Sequence, residues 1–163
     1  MTVFSNTTVR CAAQLDANHP LAAALEDRSD IFAMTEQAQD AALRPRNSGG
    51  LSHSERAALA SRIARLNGEE GLADHFASFL INGNAVKIAD PTFDGASNPR
   101  YAALIRHTDL VTRDTKSVTA ADITELKDAG ISEDDIVRLS ELVAFVNYQA
   151  RVCRGLRLLS DVS

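Results

Sequence analysis

Residues 51–80 read LSHSERAALASRIARLNGEEGLADHFASFL, and this stretch sets a helical hairpin. Ser52 followed three residues later by Glu55 is a capping box, in which the hydroxyl accepts the Glu55 N–H and the glutamate accepts the Ser52 N–H. Beyond it Ala58, Leu59, Ile63 and Leu66 recur at helical spacing and form one apolar stripe. Asn67-Gly68 then offers a C-cap or a kink, after which Leu72, Phe76, Phe79 and Leu80 repeat the pattern. The second helix opens on Glu69 and Glu70, carboxylates at the positive end of a helix dipole.

On the C-terminal side, Asn82-Gly83, Asp90-Pro91, Asp94-Gly95 and Asn98-Pro99 predict irregular chain from about Gly83 to Asn98. A loop of that length is a lid, a subunit contact or a plain connector. A helix follows Pro99, carrying Tyr101, Leu104, Ile105, Thr108 and Val111 on one side. Thr119 with Asp122 caps a short helix that ends at Ala129-Gly130-Ile131, and Ser132 with Asp135 opens the longest element, predicted to run to Leu158. Ile136, Leu139, Val143, Val146 and Ala150 line one face of it, and Leu142, Phe145 and Val152 add a second. An arc this wide places the helix at the centre of the fold or at a subunit interface.

On the N-terminal side, residues 1–19 read as an arm or one short helix, with Val9, Cys11, Ala12 and Leu15 as a weak apolar face, and residues 20–163 as a single helical domain. Pro20 suits the first position of a helix through Glu26, and Ser29 or Asp30 can cap one running to about Leu43. The RPRNSGG run after it is a loop with a flexible end and no phosphate-binding context.

The 163 residues fit one domain, and 45% hydrophobic content builds a core without metal or disulfide staples. Four prolines, eight glycines and 5% aromatics favour an all-α fold. Seventeen basic against twenty-two acidic residues, a net charge of −5, leave no broad basic surface, so no nucleic-acid partner is expected. Neither a signal peptide nor a membrane span is apparent, which makes the cytoplasm the expected compartment. There Cys11 and Cys153 stay reduced, each a small buried hydrophobe or a tolerated surface thiol; the alternative is a bridge between the arm and the last helix.

His75 with Asp74, Glu69 and Glu70 is the best cluster for chemistry, a histidine beside carboxylates that could act as a general base. Leu72, Phe76 and Phe79 equally allow a hydrogen-bonded structural histidine there. His19, His53 and His107 lie on separate elements, and no metal-ligand spacing occurs, so neither a metal nor a cofactor is expected. On the last helix Asn147, Tyr148, Gln149 and Arg151 interrupt the apolar pattern, and Asn147 or Tyr148 could line a pocket or satisfy a neighbouring helix end.

The frame of residues 51–80 resembles the alkylhydroperoxidase D-like (AhpD-like) or carboxymuconolactone decarboxylase-like superfamily, in particular its peroxidase-related branch. That pattern reads L-S-x-x-E-R-E, an apolar helix, then N-x-C-x-x-C-x-x-x-H. Leu51, Ser52, Glu55, Arg56 and Asn67 match, whereas the proton-relay glutamate falls on Ala57, the cysteines on Glu69 and Leu72, and the histidine on Phe76. The stretch from Tyr101 to Leu159, with its SVTAAD, AGISEDDI and FVNY runs, is similar to the branch's C-terminal part. The resemblance implies an all-helical AhpD-like bundle that assembles into homo-oligomers. Without the cysteine pair, the first expectation is a binding or partner subunit without thiol peroxidase activity. The alternative is an acid–base enzyme, decarboxylase- or hydrolase-like, using His75 and Glu69 on a small carboxylate or lactone; a third is a structural oligomer without a ligand.

Overall fold

The computed structural model describes residues 7–15, 19–81 and 83–161; residues 1–6, 16–18, Asn82 and 162–163 lie outside it. It is all-α: α1 (Thr8–Ala12), α2 (Pro20–Glu26), α3 (Ser29–Leu43), α4 (His53–Leu66), α5 (Glu70–Ala77), α6 (Pro99–Arg113), α7 (Ala120–Asp128) and α8 (Glu133–Asp161), with no strand among the described residues. None of these helices is long and apolar enough to cross a membrane.

The helix boundaries follow local chemistry. The Ser52–Glu55 box is formed, with Glu55 N–H donating to Ser52 Oγ at 3.2 Å and Ser52 N–H to Glu55 Oε2 at 2.8 Å. Asp122 closes the start of α7 by accepting from Thr119 N–H (2.7 Å) and Oγ1 (2.9 Å). Ser132 Oγ accepts the Asp135 N–H at 3.2 Å at the head of α8. Gly68 (φ 74°) and Gly130 (φ 80°) end α4 and α7 in Schellman motifs, closed by Glu69 N–H to Ala64 O (2.9 Å) and Ile131 N–H to Leu126 O (3.0 Å). Neither Ser29 nor Asp30 caps α3, whose N-cap is Arg28 with no side-chain bond. The 29-residue α8 ends at Asp161, three residues beyond the expected Leu158.

Two helices share the centre. On α8, Leu139, Leu142, Val143, Val146, Ala150 and Cys153 are buried. Leu142 is therefore covered by the chain itself, and the second apolar face expected from the sequence narrows to the half-buried Phe145 and Val152. The other central element is α4, buried all round from Glu55 to Ala64 rather than along one stripe. Ala57, Ala58, Ala60 and Ala64 are short enough for α5, α6 and α8 to approach it closely.

Enclosing α4 also buries two arginines. Arg56 donates to the carbonyls of Leu51 (3.0 Å), Ala42 (2.9 Å) and Ser48 (3.0 Å), folding the 44–51 loop over the helix. Gly50 N–H completes that loop by donating to both Asp135 oxygens at 3.0 and 3.1 Å, so its end is fastened to α8 rather than flexible. Arg62 donates to the carbonyls of Ile88 (3.2 Å), Asp90 (2.6 Å), Pro91 (3.1 Å) and Phe93 (3.0 Å). The segment expected to be irregular from Gly83 thus contains a 3-10 helix, Asn84–Ala89, whose Ile88 and Ala89 join the core. Its carbonyls are held by Arg62, which fastens the segment to α4.

The described part of the N-terminal segment, Thr7–Leu15, is a short helix and its flanks, with Val9, Ala12 and Leu15 in the core. It packs on α5 and α8. Gly71 makes that approach possible: a Cβ there would stand 2.9 Å from the Ala12 carbonyl oxygen.

Candidate functional site

Where the resemblance sets a reactive pair, the structure has a closed ion pair and core packing. The Schellman turn at Asn67-Gly68 delivers Glu69 to a buried position, 2% exposed, at the N-cap of α5. Both of its oxygens accept from Arg157 Nη2 at 2.5 Å, and Arg154 Nε stands 3.7 Å away. The carboxylate's hydrogen bond raises the already high pKa of Arg157. Leu72 and Phe76, at the positions of the second cysteine and the histidine, are fully buried apolar side chains, and Ala57 carries no proton-relay group.

The two cysteines of the chain lie elsewhere in the sequence. Although α1 packs on α8, Cys11 is exposed and Cys153 buried, and both are free thiols rather than a bridge. Burial pushes the Cys153 thiol up to about 12, and its Sγ donates to the Val9 carbonyl at 3.7 Å. A thiol held protonated in this way is a poor nucleophile.

His75 lies on α5 but faces different partners from Glu69. A separation of six residues turns two helical side chains roughly 120° apart and about 9 Å along the axis. The His75 Nε2 is 3.3 Å from both Thr8 Oγ1 and Gln39 Nε2, and the ring stands edge-on to Phe76 and Phe79 at 5.5 and 4.9 Å. Thr8 in turn donates to Glu36 through N–H (2.8 Å) and Oγ1 (2.9 Å), and Gln149 Nε2 donates to Gln39 Oε1 (2.9 Å). This hydrogen-bonded chain ties α1, α3, α5 and α8 together. Burial lowers the His75 pKa, Glu36 pulls it upward and Arg44 lowers it further, leaving the imidazole neutral at pH 7. No hydrogen bond or ion pair joins His75 to Glu69 among the described residues, and the two share no partner.

The remaining histidines and α8 polar residues have mixed fates. His19 Nδ1 accepts the Leu21 N–H at 3.2 Å, and His53 Nε2 meets the Pro45 carbonyl at 2.9 Å. Asn147 Oδ1 accepts from the side-chain Nδ2 of Asn67, the C-cap residue of α4, at 3.0 Å. Its other neighbour is a cavity of about 360 Å³ between α6 and α8. His107 and Val111 of α6 and Val143, Asn147 and Arg151 of α8 line it. His107 is 5% exposed, and its Nδ1 has no hydrogen-bond partner among the described residues. Burial lowers its pKa first of all, against an upward pull from Asp122.

Sequence reading passed over His107 because it shares no motif with another histidine. The available signal was its place on α6, three residues after Leu104 and four before Val111, on the inward face. Among the described residues, no group of three or more His, Cys, Asp and Glu side chains gathers in a metal-binding arrangement. No protein-family model matches the chain, and no curated protein matches it.

Proposed function

We propose that this chain is a cysteine-less member of the AhpD-like superfamily that works as a non-catalytic binding or partner subunit. The observation that carries the reading is the Glu69–Arg157 pair, which occupies the place of the first cysteine with a carboxylate already bound at both oxygens. A thiol peroxidase needs one thiolate to attack the peroxide O–O bond and a second thiol to resolve the sulfenic acid. Glu69 and Leu72 can do neither. The acid–base alternative on a small carboxylate or lactone needs Glu69 and His75 to face one substrate, whereas Glu69 is turned to α8 and His75 to α1 and α3. In the proposed reading the protein is a cytoplasmic homo-oligomer that takes no cofactor and binds a small molecule.

The test is consumption of cumene hydroperoxide in the presence of a dithiol donor. The expected result is no turnover above the protein-free rate. Robust turnover abolished by Cys11→Ser or Cys153→Ser would overturn the reading, because a cysteine outside the motif would then be doing the chemistry.

A further inference from the structure

The cavity between α6 and α8 is built like a site for a ligand with two different ends. Val143, Asn147 and Arg151 follow one another at four-residue intervals and so form one face of α8, while His107 and Val111 do the same on α6. About 360 Å³ is near the lower end of the range of ligand pockets, roughly 300–1,000 Å³. A cavity of that volume has room for a small molecule only.

Each end of the cavity carries a group without a partner. Three arginines follow one another on the C-terminal half of α8, and two are committed: Arg154 donates to the Asn67 carbonyl at 2.6 Å and Arg157 to Glu69. Arg151 is exposed and has no ion pair among the described residues. A guanidinium in that condition offers a planar fork of donors to a carboxylate. At the buried end His107 lines the cavity, 5% exposed, and its Nδ1 makes no hydrogen bond among the described residues. A buried polar atom left unpaired is destabilising unless an occupant satisfies it. Between the two ends Val111 and Val143 present hydrocarbon, and Asn147 is consumed by Asn67 and by the Val143 carbonyl at 2.9 Å.

We propose that this cavity binds a small monocarboxylate bearing a hydroxyl at the far end of an apolar body, with the carboxylate on Arg151 and the hydroxyl on the His107 imidazole. A hydroxyl both donates and accepts, so it fits either tautomer of the neutral imidazole. The inference rests on the reading of the chain as a binding protein and gives that reading a ligand class.

The experiment is a titration of the full chain, followed by amide chemical shifts, with 6-hydroxyhexanoate and 4-(hydroxymethyl)benzoate as flexible and rigid probes. Hexanoate and 1,6-hexanediol remove one end each. Saturable shifts are expected for at least one hydroxy acid at residues 107–115 and 140–151, with affinity at least tenfold weaker for the diol and in Arg151→Gln. Hexanoate, and His107→Leu with the hydroxy acid, should each lose several-fold. Arg151 is exposed, so its variant reports on the ligand even where a His107 substitution disturbs folding. Absence of saturable shifts with both hydroxy acids, or binding indifferent to Arg151→Gln, overturns the site. The peroxide assay is independent of this titration: absence of binding here leaves the absence of turnover standing.

Discussion

Arg62 and Asp109 form a two-point ion pair, Nε to Oδ1 at 2.6 Å and Nη2 to Oδ2 at 2.7 Å, that joins α4 to α6 with the arginine only 2% exposed. The same guanidinium holds four carbonyls of the 83–98 segment. Arg62→Leu removes every one of these bonds and leaves Asp109 without its partner. A loss of about 3–5 kcal/mol is expected for a buried pair broken on one side. Denaturant unfolding measures it, and hydrogen exchange should show lost protection in residues 84–93 before the rest. A variant as stable as the parent would mean that the segment is held by its apolar residues alone.

Gly71 permits the contact between α5 and α1. A methyl group there meets the Ala12 backbone at 2.9 Å, and backbone yields less readily than a side-chain tip. Gly71→Ala should therefore cost about 1–3 kcal/mol, the range for overpacking, in spite of alanine's better helix propensity. Increased exchange confined to residues 7–15 is the expected signature. A more stable variant would show that α1 tolerates displacement.

Acid should weaken the fold in two windows. Burial holds the pKa of His75 and of His107 below the ordinary value of about 6.5, so the unfolded chain binds the extra protons. Their stabilising contribution is complete above pH about 6.5 and is lost as pH falls toward the folded-state values. The Thr119 N–H holds Asp122 below its usual range, so its contribution persists until pH falls below about 4. The thermal midpoint should decline between pH 7.5 and 5, and less so in His75→Gln and His107→Gln. A midpoint constant over that interval would contradict the assigned burial of both rings.

A second copy of the chain is expected to cover one exposed apolar surface on α3 and α8. Met34 is 57% and Tyr148 43% exposed, Ile31 lies one turn from Thr35, and Thr35 Oγ1 is 3.4 Å from Tyr148 OH. Phe145 extends the patch with its ring 6.2 Å from that of Tyr148. Light scattering should give twice the 17.5 kDa of one chain, and Met34→Glu with Tyr148→Glu should return it to one. A parent mass of 17.5 kDa at all concentrations would leave the patch as ordinary monomer surface.

Local chemistry by itself determined the helical class, the caps at Ser52, Thr119 and Ser132, and the stops at Gly68 and Gly130, because each depends on bonds within about one turn of chain. It also showed that Glu69 and Leu72 are unable to do thiol chemistry, since that follows from residue type alone. Tertiary structure alone decided what those residues do instead. Glu69 meets Arg157 across 88 positions and Asn67 meets Asn147 across 80, and no local pattern encodes such partners. Arg56 and Arg62 lie outside the apolar stripe of α4, and because the helix is enclosed all round their donors must find carbonyls from elsewhere in the chain. His107 is ordinary on its own helix; its nitrogen is buried only because α6 and α8 close around it, and among the described residues none bonds to it.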